Sequence, residues 1–306
     1  MKVLFIVSGN HGAVSPVVKN QGDALVEAGV DVEYYLIKGK GFRGYLRNIR
    51  PLKQYIRNHS FDAVHTHYSM TAFAATLAGV RPLVVSLMGS DVKATKWYKC
   101  LIKLFAALGG WKTIIVKSQD MYQSLGMKRA IVIPNGVNLE RFKPLDKETC
   151  QKKLGWGDGK HILFPANPAR QEKDFALAEK AVGILGAECL ILHAFENVPN
   201  EQTSIWYNAA DVVLMTSKWE GSPNAIKEAL ACNRPIVTTN VGDVAERLEG
   251  LDGCYVAKTR EPEELKELLK QAMTFGRTMG RERILADGLT GEQVAKRLVE
   301  IYNSIV

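Results

Sequence analysis

Glu220 and Glu228 are separated by seven residues, with Gly221, Ser222, Pro223 and Asn224 following the first of them. An apolar strand, Val212 to Met215, precedes this run and another, at Ile236 and Val237, follows it. Between them the spacing of Ile226, Ala229 and Leu230 predicts a helix that faces a sheet. Ser222 is the expected N-cap. Pro223 suits the first helical position, where a missing N–H costs nothing. Asn233 and Pro235 end the helix. A helix start after a strand offers backbone N–H groups, here between Gly221 and Ala225, and the positive end of a dipole. The run is therefore a candidate anion site, with one carboxylate beside it and another a turn or two deeper. The plainer reading is a capped helix carrying two solvated glutamates.

A second group lies on the loop Ala166 to Asp174, after a strand over 161–165 and before a helix over 175–185. Arg170 and Lys173 form a basic pair there, placed as phosphate ligands are placed. A third group follows the short strand that starts at Ala63: His65 and His67. The two rings are expected on opposite sides of the strand, one buried and one toward a ligand. A His-x-His pair also suits a metal, but no third ligand is evident. The strand from Pro82 to Leu87 ends in Met88-Gly89-Ser90-Asp91-Val92.

The elements that must hold these groups alternate strand and helix. Lys2 to Val7 reads as a buried strand, residues 9–14 as a small-residue loop containing His11 and Gly12, Val17 to Ala28 as a helix closed by Gly29, and Val30 to Ile37 as a second strand. This is the opening of a doubly wound α/β domain. Its glycines do not spell G-x-G-x-x-G, so the dinucleotide fingerprint is absent. On its residues alone the loop at Gly12 reads as an ordinary tight turn. Residues 39–60 read as a basic helix broken near Pro51, in which Arg43, Arg47, Arg50, Lys53 and Arg57 interleave with apolar residues. Thr95 to Leu108 reads as another, with Trp97, Leu101, Leu104 and Phe105 among lysines. Both suit either solvated helices packed on a sheet or a membrane-adjacent face. Leu145 to Lys160 is polar, contains three glycines and is the expected linker. A further strand is expected from Cys189 to Leu192, with a loop over His193 to Pro199.

The 306 residues suffice for two domains. The net charge of +8 is uneven: +12 over residues 1–144 and −4 over the remainder. A basic half suits an acidic membrane surface, a nucleic acid or phosphorylated substrates. No zinc finger or RNP-like motif is present, so no nucleic-acid partner is expected. The five cysteines are odd in number and form no C-x-x-C pair, which argues against a disulfide framework and a zinc site. No apolar run approaches membrane-spanning length, and the N-terminal MKVLFIVSGN leads into a strand and a glycine loop. Cytoplasmic residence is the expectation.

The wording EGSPNAIKEALA followed by a P-I-V strand resembles the E-x7-E segment of retaining glycosyltransferases of family 4. Further strings are similar to that family: D-A-V-H-T-H-Y around His67, G-S-D at Asp91, P-N-G-V-N-x-x-x-F-x-P from Pro134, and N-A-A-D-V-V-L-M-T-S before the central loop. The resemblance runs over almost the whole chain. It implies a GT-B architecture of two Rossmann-like doubly wound domains facing across a cleft. The first, residues 1–148, would bind the acceptor. The second, residues 149–290, would bind the nucleotide sugar, and a last helix over about 291–306 would pack back on the first.

By the same resemblance Glu220, His67 and Asp91 would be catalytic. Arg170, Lys173, Glu228, Gly12, where the substrate would approach the backbone, and the run Gly221, Ser222, Pro223 and Asn224 would bind the donor. Lys173 matches the family's lysine, and either Arg170 or Asn167, the nearer in sequence, would take the place of its arginine. Glu220 would hold the sugar hydroxyls, Glu228 the ribose, and the 193–199 loop would lie beside the base. No D-x-D motif is visible, and neither metal nor cofactor is expected beyond the donor, a nucleoside diphosphate sugar of the UDP class. The acceptor is open, a lipid-linked one included, with peripheral membrane contact through the basic domain at the inner membrane face. The family's H-G-T/S-D loop carries Met88 where the histidine stands. Either the chemistry does not need that ring, or His67 substitutes for it, or catalysis is weak. A retaining transferase in glycan or polysaccharide synthesis is the main expectation. A weakly catalytic or non-catalytic sugar-nucleotide binder is the alternative, with an epimerase or phosphorylase on the same scaffold as a third.

Overall fold

The computed structural model describes residues 1–10, 12–39, 41–91, 95–186 and 190–305. His11, Val92 and Cys189, named above, lie outside the described residues. The chain divides into two compact units, Met1–Gly136 with Gly291–Val306, and Val137–Thr290.

The first unit runs β1 (Lys2–Ser8), α1 (Pro16–Glu27), β2 (Asp31–Ile37), α2 (Gly41–Leu46), α3 (Ile49–Asn58), β3 (Ala63–His67), α4 (Ser69–Leu77), β4 (Leu83–Ser86), α5 (Lys96–Leu108), β5 (Trp111–Val116), α6 (Gln119–Leu125) and β6 (Ala130–Val132). The second runs α7 (Lys147–Leu154), β7 (Lys160–Phe164), α8 (Phe175–Gly183), β8 (Leu190–Ala194), α9 (Thr203–Ala209), β9 (Val212–Met215), α10 (Asn224–Ala231), β10 (Ile236–Thr239), α11 (Val244–Leu248), β11 (Cys254–Ala257), α12 (Pro262–Ala272) and α13 (Gly280–Ala286). Helix α14 (Gly291–Asn303) then belongs to the first unit.

Both sheets are parallel, in the orders β2-β1-β3-β4-β5-β6 and β8-β7-β9-β10-β11. These are the same winding used twice: the second strand lies on one side of the first and all later strands on the other. The strand order therefore reverses between β1 and β3 in one lobe and between β7 and β9 in the other. Ligands of open α/β sheets bind outside the carboxyl ends of the strands at such reversals. The fold thus selects the loops after β1 and β3, and those after β7 and β9.

Apolar strands buried on both faces need helices on both. In β1, Val3, Phe5 and Val7 join one core with Val294, Ala295, Leu298 and Tyr302 of α14, while Leu4 and Ile6 join the opposite core with Ala72, Phe73 and Ala75 of α4. The second lobe repeats the plan: Leu163 and Val213 pack toward α10, whereas Ile162 and Val212 pack toward α8 and α12.

Two local expectations are corrected, and the break expected near Pro51 is located. The polar stretch 145–160 is no linker. Asp146 accepts from the Thr149 N–H and caps α7, and Gln151 and Asn208 fasten this segment to α9. The units divide at Gly136, and Val137 already bridges to Thr290 within the second. The basic helix breaks before Pro51, between α2 and α3, and Pro51 falls in the first turn of α3, where its missing N–H has no intrahelical partner to lose. Helix α10 starts at Asn224, with Pro223 in the cap position and the Ser222 hydroxyl turned to Asp243 instead (2.8 Å).

Candidate active site

In the second lobe, the loop after β7 and the loop after β9 are joined at the strand reversal. The Lys173 ammonium is ion-paired with Glu220, which also accepts from the Ser217 hydroxyl at 2.8 Å. Backbone and side-chain bonds hold the two loops in register. The Lys218 N–H donates to the Glu172 carbonyl (2.8 Å), and the Thr216 hydroxyl lies within hydrogen-bond distance of the Lys173 and Asp174 carbonyls (3.0 and 2.8 Å). Asp174 turns in the left-handed region, at φ 55°, to start α8.

Arg260, just beyond β11, reaches across these loops. It donates to the Ser217 and Thr216 carbonyls, each at 2.8 Å, and to the Asp174 carboxylate at 2.7 Å. The Thr239 hydroxyl at the end of β10 donates to the Ser217 carbonyl at 2.7 Å. The carboxyl ends of β7, β9, β10 and β11 therefore converge on one loop. Gly242 closes the arrangement. Its φ is 61°, and a Cβ there would stand 2.5 Å from the Gly221 carbonyl oxygen, so only glycine admits this contact.

Below the loop, Lys227 of α10 is buried and its ammonium lies 3.2 Å from the Ser222 hydroxyl. Burial pulls this lysine down to about 8, against the opposing field of Asp243. Arg247 in turn holds Asp243 (3.2 Å) and Asp287 (2.6 Å). Glu228 accepts from the Tyr207 hydroxyl at 2.9 Å. Burial pushes its carboxyl up to about 7, although the Tyr207 bond, Arg141 and Lys227 favour the anion.

The other expected donor residues fall unevenly. Gly221, Pro223 and Asn224 lead from Glu220 into α10 as expected. Arg170 is exposed and paired with Glu172, at 2.6 Å, rather than with Glu220. The Asn167 side chain accepts from the Ala169 N–H and shapes the turn. His193 lies inside β8 rather than in a loop. It stacks on Trp156 at 3.5 Å and hydrogen-bonds His161 at 2.9 Å. Burial, then the neighbouring His161, pulls His193 down to about 4.

In the first lobe, Gly12 is exposed on the loop after β1, with φ 83° and its N–H donating to the Gly9 carbonyl (3.1 Å). His65 and His67 lie on the same face of β3, not on opposite faces. Residues two apart on a strand share a side, and their rings stack at 4.4 Å. His65 is held by Tyr302 of α14 (2.7 Å) and by Ser86 (2.9 Å). Both ring nitrogens of His67 lack a hydrogen-bond partner among the described residues. Burial, then the charge of Lys117, holds His67 well below the ordinary histidine range, so its ring is neutral.

Asp91 is buried. It accepts from the Ser69 N–H (3.0 Å), the Ser69 hydroxyl and the Met88 N–H (2.5 Å). It thereby ties the start of α4 to the loop that carries Met88. Burial pushes its carboxyl up to about 7 against those donors.

Arg260 and Lys227 were not legible as site residues. Arg260 is about forty residues downstream of its partners, and no local pattern marks it. Lys227 carried a faint signal, a charge beside Ile226 on a helix otherwise read as facing a sheet.

Residues 12–141 match the family model described as Glycosyltransferase Family 4, and residues 170–274 the model described as Glycosyl transferases group 1. The UDP-Gal:alpha-D-GlcNAc-diphosphoundecaprenol alpha-1,3-galactosyltransferase of Escherichia coli is 27% identical over 247 residues, which cover 64% of this chain and 62% of that one. The lipopolysaccharide core biosynthesis mannosyltransferase LpsB of Rhizobium meliloti is 23% identical over 272 residues, 73% of this chain and 72% of its own. The chain spans between 54% and 62% of the length of two of the curated relatives it matches. Among solved structures, sucrose-phosphate synthase from Thermosynechococcus elongatus superposes with a TM-score of 0.82 at 15% identity, covering 99% of both chains. Anabaena Alr3699/HepE in complex with UDP-glucose gives 0.77 at 15% identity, over 99% of this chain and 100% of that one. Two similarly wound parallel lobes, the paired loops at the reversal of the second, and both family matches give one result: the chain belongs to the glycosyltransferases of the family 4 and group 1 type, with their GT-B fold.

Proposed function

We propose that the protein transfers a sugar from a UDP-sugar to an acceptor with retention of anomeric configuration, without a metal ion, in glycan or cell-surface polysaccharide synthesis. The observation that carries this is the Lys173–Glu220 pair beside the start of α10, at the strand reversal of the second lobe. Breaking the anomeric bond leaves negative charge on the diphosphate and positive charge on the sugar. Lys173 and the amides that open α10 meet the first, and Arg170 adds an exposed charge on the same loop as Lys173. Glu220 accepts from sugar hydroxyls. Held by Lys173 and Ser217, it serves as a hydrogen-bond acceptor rather than a nucleophile. Glu228 accepts from the ribose. That Anabaena HepE is described with UDP-glucose, and the E. coli relative named for UDP-Gal, supports a UDP-linked donor.

On the acceptor lobe, the neutral His67 ring, with both nitrogens unpartnered among the described residues, offers one hydrogen-bond acceptor and one donor to an acceptor hydroxyl, while its burial disfavours taking up a full proton. Asp91 acts through the Ser69 and Met88 segments it ties together. A lipid-linked acceptor fits the basic first lobe, where Phe42, Trp97, Leu104 and Leu108 are exposed among arginines and lysines. Such faces lie on anionic membranes, here on the inner surface. No helix among the described residues is long and apolar enough to cross one.

The test is a panel of UDP, GDP and ADP sugars, with binding read by melting temperature and turnover by nucleotide release. UDP-sugars should stabilise the protein and be consumed. Glu220→Gln and Lys173→Ala should each lower turnover by about 100-fold or more in a folded protein. Full activity in both variants refutes the assignment. Met88 favours a second reading, a sugar-nucleotide binder of little catalytic power. Stabilisation by UDP-sugars with no release or transfer would select it.

A further inference from the structure

The amino ends of the second lobe's strands form a separate basic cavity of about 340 Å³. Lys160 opens β7, Asp211 immediately precedes β9, and Arg234 lies two residues before β10. Lys147 of α7 and Arg277, in the turn between α12 and α13, complete the polar wall. Because the sheet is parallel, this cavity and the Lys173–Glu220 loop are at opposite ends of the same strands. Strands of four or five residues separate them by about 15 Å.

Four cations face two carboxylates here, and both carboxylates are engaged. Asp146 caps α7. Asp211 accepts from the His161 N–H (2.8 Å) and meets Lys147 (2.8 Å) and Lys160 (3.5 Å). The two arginines have no ion-pair partner among the described residues. Arg234 is only 2% exposed, yet donates solely to carbonyls, those of Cys232 (3.3 Å) and Ala210 (3.2 Å). Its Nη2 makes no hydrogen bond among the described residues. Arg277 donates to the Leu145 carbonyl at 3.0 Å. A buried guanidinium with a free N–H edge, facing like charge, is costly unless an anion completes it.

We infer that this cavity is a second anion site, built to take the phosphate group of a small phosphorylated molecule. A phosphate offers the several acceptor oxygens that Arg234, Arg277 and Lys160 can share, and guanidinium forks match it two bonds at a time. The volume exceeds that of a bare phosphate, and Met273 and Phe275 line the remainder. The molecule that carries the phosphate therefore has a small, weakly polar body. Its binding would join α7 and the strand starts to the turn between α12 and α13. The inference does not rest on the donor reading, since none of these residues lies on the donor loops.

The test is calorimetric titration of the full chain with inorganic phosphate at constant ionic strength, set with chloride. A Lys173→Ala background removes the expected contribution of the donor loop. One saturable phosphate per chain should remain there. Adding Lys160→Ala with Arg277→Ala, two exposed side chains whose loss spares the core, should weaken it by at least about tenfold while circular dichroism is unchanged. Unchanged affinity in the triple variant, or no saturable phosphate on the Lys173→Ala background, overturns the proposal. A melting-temperature rise with phosphate that survives Lys173→Ala and vanishes in the triple variant supports it independently.

Discussion

Lys173 and Glu220, on loops forty-seven residues apart in sequence, form an ion pair in which 13% and 15% of the side chains remain exposed. Each restrains the other, so both are already placed before any donor arrives. Lys173→Met and Glu220→Gln should each cost about 1–3 kcal/mol, because either leaves a mostly buried charge without its partner. The double variant should lose about 1 kcal/mol less than the sum. Urea denaturation measures all three, and strictly additive losses would show that the two groups do not act as a unit.

Gly242 is the second point of control. In Gly242→Ala a positive φ and a contact 2.5 Å from the Gly221 carbonyl oxygen act together. The expected loss is about 1–3 kcal/mol, with the Glu220–Gly221 peptide displaced. UDP-sugar affinity should fall along with stability. Thermal melts with and without UDP-glucose check both, and a variant with wild-type affinity would count against the packing argument.

Arg260 should behave as a positioning residue. Arg260→Ala removes three donated bonds from the Thr216–Ser217 segment and from Asp174, for an expected loss of about 2–3 kcal/mol. Arg260→Lys should recover little, since an ammonium cannot span two carbonyls and a carboxylate as a planar fork does. Hydrogen exchange of the 216–221 amides should quicken in both variants. Unaltered exchange there would remove Arg260 from the bracing of the loop.

Asp91 sets a pH dependence whose sign follows from its environment. Its folded value of about 7 lies above the ordinary carboxylic range. Its stabilising contribution is therefore complete below about pH 4 and is lost as pH rises through about 7. Glu228, also about 7, acts in the same direction. His65 and His67 act oppositely: held neutral by burial, they cost stability as pH falls below about 6.5. A comparison between Asp91→Asn and wild type cancels all the others. The variant should gain about 2–4 kcal/mol relative to wild type between pH 4 and pH 8, by chemical denaturation across that range. A constant difference would mean that Asp91 titrates normally.

Local patterns carried much of this architecture. The alternation of apolar strand and amphipathic helix gave the doubly wound lobes, and the run from Glu220 to Val237 identified the loop on which the second is organised. What was lost depended on partners far along the chain. Nothing near residues 145–160 announces that α7 packs on α9, so glycines and polarity read as a linker. Pro51 looked like a breaker because the stop at Asn48, whose side-chain amide donates to the Lys38 and Gly44 carbonyls, is tertiary. The two histidines of β3 were misplaced for a different reason. Strand periodicity puts residues two apart on one side, and the expected split between faces ignored it. The family resemblance already set Lys173 ahead of Arg170, but only the fold shows that Lys173 meets Glu220 while Arg170 pairs with Glu172.

Helix α14 has one more consequence. Tyr302 seats against His65, and Val294 and Leu298 lie over Val3 and Phe5. The ribosome makes these covering residues only after the whole second lobe has emerged. Until then β1 keeps one bare apolar side. A fragment cut at Gly136 keeps that side uncovered, and its self-association is the expected outcome of expressing it alone.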